Sequence, residues 1–142
     1  MKRWLSSSLA VSSVLVGLSV VLAQGGGSIT GFVTVPAKVQ NLEKLVVLAC
    51  AKADPMCLKP AQVVSLAGKT GIAVKDARKI PYSLVRLPAG EYFVYALNDK
   101  NDNLQHDFET EELGGYFKDG TFDPILVTPP ARTVNFDLIP LE

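Results

Sequence analysis

The sequence predicts an all-β fold, a single antiparallel β-sandwich of about seven short strands. Several segments alternate apolar and polar residues with period two and are rich in β-branched and aromatic residues, which is typical of strands. Turn signals built from proline and glycine separate these segments at close spacing. No segment of useful length shows the apolar period of an amphipathic helix.

The N-terminus is expected to be a secretory signal peptide. A basic start at Lys2 and Arg3 precedes a long apolar stretch, and Ala23 is the small residue expected just before a cleavage point. The alternative is an uncleaved anchor, because the apolar stretch is long enough to span a bilayer. The predicted division is a signal peptide at 1–23, a glycine-rich lead-in at 24–27 and one β-sandwich domain at 28–142.

The first half of the domain is predicted to supply two clear strands and two weaker ones. Residues 28–35 (SITGFVTV) alternate strictly, and residues 44–51 (KLVVLACA) are apolar on both faces, as expected of a central strand. Pro60 limits the segment 56–66 to an edge position or a break. Residues 72–74 form a short strand at best.

The second half contains the strongest strand signal of the chain. Residues 80–87 are extended and lead through the turn 88–90 (PAG) into residues 91–98 (EYFVYALN), which alternate throughout. The pair Gly114-Gly115 is interpreted as a break, and further strands are expected at 124–128 and 133–138.

The charge balance of the exported part excludes some partners. Without Lys2 and Arg3, 12 basic residues stand against 14 acidic ones, a net charge of −2. Nucleic acids and anionic membrane surfaces both require a basic face, so neither is expected as a partner. We also expect no membrane span once the signal peptide is removed.

The two cysteines are expected to form a structural disulfide. Cys50 and Cys57 both lie in the exported part, and an isolated pair in an oxidising compartment forms a bridge. A zinc site would need further ligands, and His106 is the one histidine of the chain.

Three stretches together resemble a known family. Residues 28–35 resemble the opening strand of carboxypeptidase-regulatory-like domains, residues 82–96 (YSLVRLPAGEYFVYA) resemble their centre, and residues 133–138 (TVNFDL) resemble their closing strand. The resemblance implies a transthyretin-like (prealbumin-type) Greek key sandwich and a non-catalytic module of exported bacterial proteins. It also implies an acidic loop after the central strand, where Leu104 stands in place of the usual glycine.

The stretch 99–116 is the main candidate for a functional site. It holds six carboxylates, and side chains bearing oxygen recur at alternate positions. Calcium takes about six to eight oxygen ligands, and a loop of this spacing can curl around it. We therefore expect a weak structural calcium site, with ligands drawn from Asp99, Asn101, Asn103, Gln105, Asp107, Glu109 and Glu111.

Two residues depart from the usual calcium loop. Leu104 occupies a position that favours glycine because the backbone there needs a positive φ, and Thr110 stands where a bidentate acid is expected. The closing ligand is therefore open between Glu109, Glu111 and Glu112. The alternative interpretation is a solvated acidic surface loop without a metal.

Aromatic residues after the acids offer a second kind of site. Phe108, Tyr116 and Phe117 could form a platform for a carbohydrate or a protein partner without any metal. The alternative is a small cluster that anchors the long loop to the sheet. The partner would be an envelope protein or a polysaccharide.

Catalysis finds little support in the sequence. The exported part has one histidine and three serines, and it contains no Gly-x-Ser-x-Gly motif. The expected function is a non-enzymatic module that acts in the periplasm, on the cell surface or as a secreted protein.

Overall fold

The computed structural model describes residues 26–142, so the predicted signal peptide and residues 24–25 of the lead-in lie outside the described part. Within residues 26–142 there is no helix, which confirms the all-β prediction, and thus none long and apolar enough to cross a membrane. Eight strands follow one another: β1 Gly27–Pro36, β2 Leu45–Ala51, β3 Gln62–Ser65, β4 Ile72–Val74, β5 Ala77–Leu87, β6 Tyr92–Asn98, β7 Leu113–Gly115 and β8 Phe136–Ile139.

The eight strands join in one mixed sheet with the order β3–β2–β6–β7–β8–β1–β5–β4. β8 links the two halves of the sheet, since it pairs antiparallel with β7 and parallel with β1. The sheet curls into a half-barrel, and Gln62 Nε2 of β3 donates to Val85 O of β5 at 3.0 Å across it. The expectation of about seven purely antiparallel strands is therefore corrected, and the two-layered sandwich stays a prediction.

The inner face of the curled sheet carries the main core. Ile29, Val33 and Val35 of β1 are buried, as the predicted alternation requires. The same face of β6 buries Tyr92, Val94 and Ala96, and the remaining core comes mainly from β2, β5 and β8.

The outer face of β2 and β6 carries a second, smaller cluster. Leu48 and Cys50 alternate along β2 with the residues of the main core, so they face the opposite side. Cys50 is bonded to Cys57, with a Cα–Cα distance of 5.2 Å, which confirms the predicted disulfide. Tyr95 and Leu104 pack against this cluster, and the acidic loop lies over this side of the sheet.

Three segments differ from the sequence prediction. Gly114 and Gly115 are not a break but belong to β7. Position 114 requires glycine because a side chain there would collide with the carbonyl of Asp137 on β8. Residues 124–128 form isolated bridges to Tyr92 and Phe117 instead of a strand, and the last strand begins only at Phe136.

Candidate functional site

The acidic loop begins at a buried carboxylate directly after β6. Asp99 is 3% exposed, and its backbone N–H donates to Lys44 O at 3.0 Å. Its Oδ1 accepts the N–H of Asn103 and its Oδ2 the N–H of Leu104, both at 3.1 Å. One carboxylate therefore holds the first turn of the loop in place through two backbone amides.

Leu104 adopts the positive φ that the loop requires. Its φ is 56°, in the left-handed region where glycine is usual, and Asp102 has a φ of 58°. The side chain of Leu104 is half-buried against the Cys50–Cys57 cluster. The missing glycine therefore does not prevent the sharp turn, because packing holds the leucine there.

The second buried carboxylate of the loop belongs to Glu111. Its side chain is 1% exposed, and its Oε1 accepts the N–H of Asp107 at 2.9 Å while its Oε2 accepts that of Asn101 at 3.4 Å. Glu109 and Thr110 are exposed. Of the three acids that could close the loop, Glu111 is therefore the one whose carboxylate accepts backbone amides of the loop.

The third acid, Glu112, takes part in a polar cluster at the base of the loop. Its carboxylate accepts a hydrogen bond from Asn98 Nδ2 at 2.9 Å and lies 3.4 Å from the ammonium of Lys100. The Nδ2 of Asn98 also donates to Asn41 O at 3.1 Å, whereas its buried Oδ1 has no hydrogen-bond partner among residues 26–142. An acceptor oxygen at the base of the loop is thus left without a partner in the described part of the chain.

The exposed oxygen-bearing side chains shape the backbone of the loop. The Oδ1 atoms of Asn101, Asn103 and Asp107 each accept the N–H two residues further on, at 3.3, 2.9 and 3.0 Å. Such local bonds are typical of Asx turns. The side-chain amide of Gln105 donates to Cys57 O at 3.2 Å, which ties the loop to the disulfide.

Within the described part of the chain, the acidic side chains of the loop do not form a metal site by themselves. Across residues 26–142, no three His, Cys, Asp or Glu side chains are grouped so that they could hold a metal ion. The carboxylates of Asp99 and Glu111 are bonded to backbone amides, and each oxygen keeps a further lone pair. A bound cation would therefore draw on amide and backbone oxygens in addition to these carboxylates.

His106 lies inside the loop with a fixed ring. Its Nε2 is 2.8 Å from Glu111 O, and because a carbonyl only accepts, Nε2 carries the hydrogen. Its Nδ1 is buried and has no partner in the described part of the chain. The ring of Phe108 packs edge-on against the imidazole with 4.5 Å between centroids.

An apolar groove of about 530 Å³ runs along the outer face of the sheet beside the loop. The loop forms one wall, the disulfide turn a second, and the C-terminal residues after β8 a third. Three side chains at the groove are strongly exposed, namely Met56 (77%), Phe108 (82%) and Phe122 (74%). This groove was not predicted from the sequence, although the apolar Met56 beside Cys57 in a turn was a signal for it.

The predicted aromatic platform is divided in the structure. Phe108 and Phe117 line the groove, whereas Tyr116 packs against the main core. The rings of Phe117 and Phe122 meet edge-on at 68°, with 5.9 Å between centroids. Tyr95, at the base, donates its O–H to Pro55 O at 3.3 Å, and burial raises the pKa of its phenol.

Comparison with protein families, with characterised proteins and with solved structures gave no match for this chain.

The resemblance to carboxypeptidase-regulatory-like domains is therefore still a prediction, and function has to be inferred from the loop and the groove. The loop presents buried carboxylates and a free amide oxygen, which suit a hard cation. The groove presents aromatic and aliphatic side chains, which suit an apolar ligand.

Proposed function

We propose that this chain is an exported, non-catalytic β module of the cell envelope whose 99–112 loop binds one calcium ion for structural ordering. The observation that carries this proposal is the burial of Asp99 and Glu111 without a salt bridge within residues 26–142. Each carboxylate accepts two backbone amides, which offset part of the cost of removing it from water, and a bound positive charge would offset more of it. A cation bound between them would offset this cost.

The conformation of the loop supports the same proposal. Asp99, Asn101 and Asn103 are tied into successive turns, and Leu104 adopts the positive φ expected at the sixth position of a calcium loop. Glu111 then supplies the closing acid one residue later than usual. The free Oδ1 of Asn98 adds an oxygen that a cation or an ordered water would satisfy.

For the fold, we propose the transthyretin-like sandwich of the carboxypeptidase-regulatory-like type. The stretch that carries the resemblance forms β5, the 88–90 turn and β6, with Leu87 and Tyr92 both buried in the main core. The Tyr92 O–H donates to Pro88 O at 2.6 Å and closes the turn. The curl of the sheet supports this proposal, because it brings β3 towards β5.

Export and a non-catalytic role are part of the proposal. The Cys50–Cys57 disulfide favours an oxidising compartment, in line with the expected signal peptide. The only histidine is bound to the Glu111 carbonyl and covered by the Phe108 ring, which does not suit a general base.

Calorimetric titration with calcium, followed by thermal melting, tests the metal. We expect a dissociation constant of about 10⁻⁴–10⁻³ M and, at ten times that concentration, a stabilisation of about 1.4 kcal/mol. Asp107→Asn, at an exposed carboxylate of the loop, should weaken binding, whereas Glu43→Gln outside the loop should not. Absence of both heat and a melting shift at millimolar calcium would end the proposal.

A second candidate function is the binding of a carbohydrate or protein partner through the aromatic side chains, without a metal. The strong exposure of Phe108 and Phe122 favours it, because large apolar side chains around one groove mark interaction sites. NMR titration with polysaccharide fragments would test it. Shifts confined to the groove and lost in Phe108→Ala would support this function, and no shifts would count against it.

A further inference from the structure

We propose that the apolar groove is a binding site for a small organic cation with an apolar body, such as an alkyl- or arylammonium compound. The groove measures about 530 Å³, which lies within the range of small-molecule pockets. Its lining is dominated by aromatic and aliphatic side chains. The apolar lining is the same with or without calcium, but the charge of the loop wall is that of the metal-free protein.

The charges around the groove favour a positively charged ligand. Among the described residues, its lining includes Glu111 and His106 but neither lysine nor arginine. Asp107 and Glu109 flank Phe108 along the chain, so the loop wall carries negative charge. An anionic amphiphile would find no positive partner here, whereas a cation is attracted by the wall.

The aromatic rings of the groove can also bind a cationic group. Tyr95, Phe108, Phe117 and Phe122 all line the groove, and the rings of Phe117 and Phe122 meet edge-on instead of lying in one plane. Aromatic faces attract organic cations, and the strongly exposed rings of Phe108 and Phe122 are open to such a group. A flat platform for stacking a sugar ring would require coplanar rings.

Three octyl amphiphiles that differ only in the head group test this proposal below their micelle concentrations. Octyltrimethylammonium, octanoate and octyl glucoside are titrated separately into the purified protein in the presence of EDTA and followed by NMR. We expect saturable binding of the ammonium compound, with shifts at groove residues, and at least tenfold weaker binding of octanoate. Equal or tighter binding of octanoate, or no binding of the ammonium compound, would overturn the proposal.

Surface variants show whether the groove is responsible. Phe108→Ala and Phe122→Ala change exposed side chains, so the fold should persist, and each should weaken ammonium binding at least fivefold. Ile72→Ala on β4 removes an exposed apolar side chain outside the groove lining and should leave binding unchanged. Glu109→Lys should weaken the ammonium compound and strengthen octanoate. Unchanged binding in both phenylalanine variants would place the ligand elsewhere and contradict the proposal.

Discussion

At the scale of single residues, the Glu111 carboxylate holds the loop together. It is 1% exposed and accepts the amides of Asn101 and Asp107, which are six positions apart in the chain. Glu109 has the same charge but is exposed. The two acids stand two positions apart and allow a matched comparison.

Glu111→Ala should lower the free energy of unfolding by about 1–3 kcal/mol, because two part-buried amides would lose their charged acceptor. Glu109→Ala should change it by less than about 0.5 kcal/mol, as is usual for surface positions. Urea unfolding in the absence of metal measures both. Equal losses in the two variants would show that Glu111 does not hold the loop.

A second prediction at the residue scale concerns Asp54, which lies in the disulfide turn. The amides of Lys59 and Leu58 donate to its carboxylate at 2.9 Å each and hold its pKa below the ordinary value of 3.8. The contribution of Asp54 to stability is therefore complete above pH 3.8. It is lost as the pH falls through the lower pKa that Asp54 has in the folded state.

Asp54→Ala should consequently melt below the wild-type protein at neutral pH, and the difference should shrink as the pH falls below 3.8. Thermal melting across the acid range measures this, with Asp119→Ala as an exposed control. A difference in melting temperature that stays constant across this range would contradict the role given to the carboxylate.

At the scale of elements, close backbone approach decides where β7 pairs. Gly114 lies against the Asp137 carbonyl of β8, so an added methyl group would force the two strands apart. Gly120 has a φ of 70°, in the left-handed region that favours glycine, but an added methyl group there would meet no other atom.

Gly114→Ala should cost about 1–3 kcal/mol through overpacking, more than Gly120→Ala, which should cost about 1 kcal/mol through its backbone conformation. Denaturant unfolding compares the two variants. A smaller loss at Gly114 than at Gly120 would mean that β7 tolerates the side chain and is not held closely against β8.

The disulfide turn is the other element with a clear energetic role. Cys50 and Cys57 are seven positions apart, and closing so short a loop stabilises the folded state by about 2.5 kcal/mol in the chain-entropy model. Reduction should lower the free energy of unfolding by that amount. The same reductant should have no effect on a Cys50→Ala/Cys57→Ala variant, and an unchanged wild-type protein after full reduction would contradict the prediction.

At the scale of the whole molecule, local patterns predicted much of the fold. The alternation in 28–35 and 91–98 predicted β1 and β6, and the spacing of the cysteines predicted their bond. The parallel pairing of β1 with β8 was not predictable from such patterns, because its register joins residues about 100 positions apart, such as Val33 and Phe136.

The site divides in the same way between local and distant contacts. The acidic loop was predicted because its residues are consecutive, although Leu104 was judged a defect and adopts the required φ. The groove was missed because Met56, Phe108 and Phe122 are far apart in the sequence and line one groove only in the folded chain. The local pattern of a single sequence does not show which distant residues come together.

The most direct test of the proposed function is a crystal structure of the protein grown with calcium at about 10 mM, ten times the weakest expected dissociation constant. We predict one ion within about 2.3–2.6 Å of carboxylate oxygens of Asp99 and Glu111 and of further loop oxygens. A loop without an ion, in which both carboxylates still bind only backbone amides, would contradict the calcium site.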